Sequence, residues 1–130
     1  MDVHHIGYLV KKINKAITNF EALGYKLQND IVKDELRGVE ICFMEKNGYI
    51  IELISPFTKD SVVSNLIKTY KNSPYHICYE SRTFFDDIEK LEHSGYVRID
   101  TPLPAVALGG RKVVFLFNPH IGIIEILERT

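Results

Sequence analysis

Apolar and polar residues alternate with period two along residues 3–10, 39–44, 49–54, 75–80, 112–117 and 122–128, the spacing of half-buried strands. Two other stretches run at helical spacing. Ile13, Ala16, Ile17, Phe20 and Leu23 recur along one face and are closed by Gly24; Phe84, Phe85, Ile88 and Leu91 do the same and are closed by Gly95. Residues 25–32 and 96–100 read as further strands. Residues 34–38 are polar and turn-like, and Asn47-Gly48 is a strong hairpin signal. A connector over residues 57–73 has the apolar spacing of a short helix, with Asp60 or Ser61 as its N-cap. Residues 101–110, with two prolines and a Gly-Gly pair, read as a loop.

The order strand, helix, three strands therefore occurs twice. His5-Ile6-Gly7-Tyr8 matches His76-Ile77-Cys78-Tyr79, and Gly24-Tyr25 matches Gly95-Tyr96, both at an offset of 76 − 5 = 95 − 24 = 71. Glu52 matches Glu125 at 125 − 52 = 73, so the second half gains two residues in its loops. Two half-modules that cannot each bury a sheet alone predict one α+β domain over residues 1–130. Its first module covers about 1–56, the connector about 57–73 and the second module about 74–130.

The alternation fails at the same place in both halves. Glu125 shares a strand face with Ile123 and Leu127; Glu52 shares one with Ile50 and Ile54. A carboxylate between apolar neighbours is costly unless it is paired, hydrogen-bonded or bound to a metal. Each half also supplies one histidine on its first strand, His5 and His76. If first and last strands are neighbours, all four side chains converge. Two imidazoles and two carboxylates suit divalent Zn, Ni, Co, Mn or Fe, with positions left for water or substrate oxygens. The plainer reading is a pair of core histidines and solvent-facing glutamates.

Composition narrows the classes. Of 130 residues, 45% are hydrophobic and 25% charged, ordinary for a globular protein. A net charge of −1 leaves no basic footprint for nucleic acid, and no apolar run reaches membrane-spanning length. The N-terminus lacks the pattern of a signal peptide. Cys42 and Cys78 sit in apolar runs, as reduced core thiols of a cytoplasmic protein would. Lys11, Lys12 and Lys15 read as a solvated face, and His4, opposite in parity to His5, as a surface or interface residue rather than a ligand.

His5-Ile6-Gly7, Glu52-Leu53, His76-Ile77 and Ile124-Glu125-Ile126 together resemble the metal-binding signature of the vicinal oxygen chelate superfamily, which includes glyoxalase I, methylmalonyl-CoA epimerase, extradiol dioxygenases and bleomycin-resistance proteins. The likeness covers nearly the whole chain. Residues 52–56, 76–80 and 109–115 resemble the methylmalonyl-CoA epimerase branch most. The resemblance implies two βαβββ modules with curved sheets around a metal cleft, one divalent ion on His5, Glu52, His76 and Glu125, and a homodimer. Gly38-Val39-Glu40 resembles a segment whose glutamate is a proposed proton-transfer base, which carries over onto Glu40; alternation puts Glu40 on the face of Cys42 and Met44.

The expected chemistry is proton transfer beside a thioester carbonyl through an enolate, with Glu40 and Glu125 as the catalytic pair. Two bases on opposite faces give epimerisation of an acyl thioester. One base moving a proton between adjacent carbons gives the glyoxalase I reaction. A metal-free small-molecule binding protein of the bleomycin-resistance type is the third reading.

Overall fold

The first and last strands of each predicted module are hydrogen-bonded neighbours and run parallel. Strand β1 (Asp2–Leu9) pairs β5 (Tyr49–Pro56), with Gly7 opposite Glu52. Strand β6 (Ser73–Ser81) pairs β10 (Gly122–Glu128), with Cys78 opposite Glu125. The computed structural model describes all 130 residues. They form two compact units, Ile6–Pro74, and Tyr75–Thr130 together with Met1–His5. Strand β1 thus gives its first residues to one unit and its last to the other. The α+β class and the twofold βαβββ order are as expected, with added short strands.

In the Ile6–Pro74 unit the strand order is β2 (Lys26–Leu27), β4 (Val39–Lys46), β5, β1, and β3 (Val32–Asp34) also pairs β4. Helix α1 (Ile13–Ala22) covers one face. Ile13 packs there with Val10, Cys42, Met44, Ile51 and Leu53, and Ala16, Ile17 and Phe20 lie against them. The hairpin at Asn47-Gly48 has positive φ at both residues (52° and 86°), the requirement of a type I′ turn. Residues 25–32 do not form one strand: they break after Leu27, because Asn29 turns inward and accepts a hydrogen bond from Phe43 N at 3.0 Å. Helix α2 (Ser64–Tyr70) starts later than expected, and neither Asp60 nor Ser61 caps it; its N-cap is Val63.

In the other unit the order is β6, β10, β9 (Arg111–Asn118), β7 (Val97–Arg98). Helix α3 (Phe84–His93) covers Val114, Leu116, Ile124 and Ile126 with Phe84 and Ile88. Phe85, expected inward, is 56% exposed and lies under the Lys112 ammonium. Residues 101–110 are not simply a loop. Strand β8 (Leu103–Ala105) pairs β9, and a 3₁₀ turn follows at Val106–Leu108. Both long helices end alike: Tyr25 N bonds Phe20 O and Tyr96 N bonds Leu91 O, each at 3.1 Å, after a glycine of positive φ. No helix is long and apolar enough to cross a membrane.

Candidate metal centre

Strand pairing decides which side chains share a face. On β6 and β10, His76 stands opposite Ile123 and Cys78 opposite Glu125, so His76, Cys78 and Glu125 project from one face. That face is opposite the one covered by α3, since Ile124 and Ile126 alternate with Glu125. His5, from the β1 residues that belong to this unit, completes the group. His5, His76 and Glu125 are each at most 3% exposed.

The three meet at single atoms. Glu125 Oε1 lies 3.2 Å from His5 Nε2 and 3.2 Å from His76 Nε2, and the two Nε2 atoms are 3.3 Å apart. Glu125 Oε1 is buried, and neither approach is aligned as a hydrogen bond to it. Burial by itself would raise the Glu125 carboxyl pKa, but the close approach of the His5 and His76 rings outweighs it and holds the group well below the ordinary carboxylate range. The rings are fixed from behind. Phe115, opposite Glu125 on β9, meets His76 edge-on at 5.2 Å between centroids, and Tyr75 does so at 4.4 Å.

This donor set fits a divalent metal ion. Bonds of about 2.1 Å put neighbouring ligand atoms about 3.0 Å apart in an octahedral site and about 3.4 Å apart in a tetrahedral one. The observed edges fall between these values. A buried, unsatisfied carboxylate oxygen facing two imidazole nitrogens is the arrangement that an ion would satisfy.

Glu52 belongs to the other unit. It is 3% exposed, on the face of β5 that looks away from α1, opposite Gly7 and Phe43. Glu40 requires a correction. It stands opposite Ser55, three residues along β4 from Phe43, so it projects from the other face of the sheet. That is the face of Cys42 and Met44, which pack under α1. The two-faced alternation of β4 therefore denies Glu40 a common surface with Glu52. Beneath that face, burial and then the Glu52 charge push the Cys42 thiol up to about 12, as for an inert core thiol.

Sequence reasoning missed His4. Its Nδ1 lies 2.8 Å from His5 Nδ1. One of these atoms must donate and the other accept. When His5 donates, its Nε2 keeps a lone pair toward Glu125 and His76, and His4 sets that tautomer. Burial first, then the adjacent His5, holds the His4 pKa below its ordinary value, which suits an uncharged acceptor. Cys78 is within 4.8 Å of the ring nitrogens of His4 and His5. At 2.8 Å, however, the two Nδ1 atoms are closer than two ligands of one ion, so that contact is a hydrogen bond. The signal available in the sequence was the His-His pair itself.

The family model described as the glyoxalase/bleomycin resistance protein/dioxygenase superfamily matches residues 4–115. The chain belongs to this superfamily. Among solved structures, a hypothetical protein from Bacillus halodurans shares 25% identity over 99% of this chain and 94% of its own, with a TM-score of 0.87. Methylmalonyl-CoA epimerase from Mycobacterium tuberculosis is 18% identical over 99% and 88%, at 0.84. A Streptomyces coelicolor methylmalonyl-CoA epimerase variant in complex with 2-nitronate-propionyl-CoA is 18% identical over 100% and 95%, at 0.85. These two share the fold. No curated protein sequence matches the chain.

Proposed function

We propose that the protein is a divalent-metal-dependent enzyme that moves a proton beside the carbonyl of an acyl thioester, in the manner of an epimerase. The observation that carries this reading is the triangle of His5, His76 and Glu125, whose 3.2–3.3 Å edges and buried carboxylate oxygen suit one ion. Glu52 is assigned as the fourth ligand. It is the repeat mate of Glu125, and it is a buried carboxylate on the α1-distal face of its strand. Likeness in fold to methylmalonyl-CoA epimerases, one of them solved with an acyl-CoA analogue, supports the choice of substrate class.

A bound divalent ion would supply a Lewis acid to stabilise the negative charge that develops on an enolate oxygen. The chain's own residues do the rest. His5 and His76 are locked by packing and present Nε2 lone pairs without reorganisation. Without an ion, the N–H groups and charge of the His5 and His76 rings favour the ionised Glu125 carboxylate; with an ion bound, those nitrogens would be deprotonated and the ion itself would offset the buried charge. Its second oxygen is the group assigned to take the α-proton and return it. Phe115, opposite Glu125, and Leu127, two residues along β10, are its apolar neighbours on that face. Inversion needs a second proton donor from the opposite side, and Glu40 is not assigned that part.

The test is solvent exchange of the α-proton of methylmalonyl-CoA in deuterium oxide, followed by NMR on metal-loaded protein. Exchange is expected in the native chain and is expected to fall at least about 10³-fold in Glu125→Gln. Full exchange in that variant would sink the assignment. Turnover of methylglyoxal with glutathione in place of exchange would give the site to the lyase reaction instead.

A further inference from the structure

The three lysines that read as a solvated face border a cleft. Tyr8, Val10, Ala16, Phe20 and Leu23 form an apolar floor along α1, and Lys11, Lys12, Lys15, Asn19 and Asn72 complete the lining. The cleft measures about 480 Å³, within the usual range of about 300–1,000 Å³ for small-molecule sites. No acidic side chain lines it. This is a local excess of positive charge on a chain whose net charge is −1.

Its charge is polarised along its length. Lys11, Lys12 and Lys15 stand at the start of α1, while Phe20 and Leu23 stand at its end. At about 1.5 Å of rise per residue, Lys12 and Leu23 are about 16 Å apart along the helix, close to an extended twelve-carbon chain. Leu23 is 60% exposed, an apolar residue left bare at the far end. At the near end the backbone is held: Lys11 N donates to Asn72 Oδ1 at 2.9 Å.

The repeat supplies an internal control. At the offset of 71, Lys11, Lys12, Lys15, Ala16, Phe20 and Leu23 correspond to Arg82, Thr83, Asp86, Asp87, Leu91 and Ser94. There Asp87 accepts hydrogen bonds from the Ser81 and Thr83 hydroxyls, and the start of α3 is acidic. Of the three lysines only Lys11 has a basic counterpart, and the exposed Leu23 is replaced by serine, so the Lys12–Lys15 pair and the bare Leu23 belong to α1 and not to the fold.

We propose that the α1 cleft binds a medium-chain amphipathic anion, with an acyl or alkyl tail on Tyr8, Phe20 and Leu23 and a carboxylate or phosphate head on Lys11, Lys12 and Lys15. The proposal is independent of the metal reading, since every lining residue lies in the Ile6–Pro74 unit. Lysine ammonium groups meet the head by charge-assisted hydrogen bonds, and the tail loses contact with water against the aromatic floor.

Calorimetric titration of the full chain with dodecanoate, below its micelle concentration, tests it. Saturable binding of one molecule per chain is expected. It should weaken by about tenfold or more in Lys12→Ala/Lys15→Ala and be blocked in Ala16→Phe, with folding checked by circular dichroism. Asp86→Ala should leave it unchanged. Dodecyl phosphate in parallel assigns the head: whichever of the two binds more tightly names the group. Absence of saturable binding by either anion, equal binding of uncharged dodecanol, or undiminished binding in the lysine variant would overturn the proposal.

Discussion

The two units repeat one design and use it differently. In each, the first strand runs parallel to the last, and a glutamate on the last strand turns its side chain away from the helix. Opposite Glu52 stands Gly7; opposite Glu125 stands Cys78. Beside His76 stands Tyr75, and at the equivalent place beside His5 stands His4, at 75 − 71 = 4. The unit of residues 75–130 includes Met1–His5 and so holds three of the four proposed metal donors, while Glu52 lies in the other unit. The proposed metal donors are thus concentrated on one copy of the repeated order. The other copy has been left to carry the lysine-bordered cleft.

The largest effects are expected where the pooled donors are removed. His5→Ala and His76→Ala should each abolish measurable ion binding. Glu52→Gln should weaken it by about 10–100-fold, because the triangle remains. Equal losses in all three would mean that the donors act as one set of four, which isothermal titration on each variant decides.

Next come the two glycines at equivalent turns, Gly38 and Gly109, both with φ of +68°. A Cβ on Gly38 would approach Thr58 Oγ1 to 2.9 Å and the Ser61 backbone to 3.1 Å, whereas on Gly109 it would meet nothing within 4 Å. Gly109→Ala therefore carries only the strain of the left-handed backbone, about 1 kcal/mol, and Gly38→Ala about 2–3 kcal/mol. Urea denaturation measures both. Identical losses would show that the crowding at Gly38 relaxes freely.

His4 and Tyr75 give a finer contrast. His4→Ala should lower metal affinity by about tenfold, by releasing the tautomer of His5. Tyr75→Phe, which keeps the ring against His76, should change it little. Competition against a metallochromic dye is sensitive enough, and an unaffected His4→Ala would reduce His4 to a packing residue.

The smallest effect separates the units by pH. Burial disfavours the Glu80 carboxylate, but the hydrogen bond from Arg111 at 2.6 Å and the charges of Arg111 and Arg129 outweigh it, so its pKa lies below the ordinary value. A depressed carboxylate pKa contributes stability above the unfolded value, near 4.3, and loses it as pH falls through the folded one. Arg111→Ala should thus cost about 1 kcal/mol at pH 7 and less as pH falls through the folded-state Glu80 pKa. A cost independent of pH would assign Arg111 to packing.

Much of this was readable in the chain. The repeat offset located both helices and their glycine ends, because a Schellman turn demands positive φ at one position. The misplaced glutamates marked the buried carboxylates, since period-two alternation leaves few alternatives for a residue between two apolar neighbours on its own face. Glu40 misled because likeness of a short segment does not carry strand parity, whereas the pairing of Phe43 with Glu52 does. His4 was hidden for a related reason: parity assigns it the other face, but two long rings on adjacent residues still meet at their Nδ1 atoms. The break in residues 25–32 was set by Asn29 reaching Phe43 N, a contact across 14 residues that no local pattern encodes. The α1 cleft needed the sheet in place before Lys11, Lys12 and Lys15 acquired an apolar floor.

The most direct measurement is calorimetric titration of chelator-stripped protein with Co²⁺, Ni²⁺, Mn²⁺ and Zn²⁺, beside His76→Ala. Tight binding of one ion per chain, lost in the variant, is the expected result. Failure of every ion to bind, or binding that survives His76→Ala undiminished, would contradict the central claim that His5, His76 and Glu125 are built around a metal.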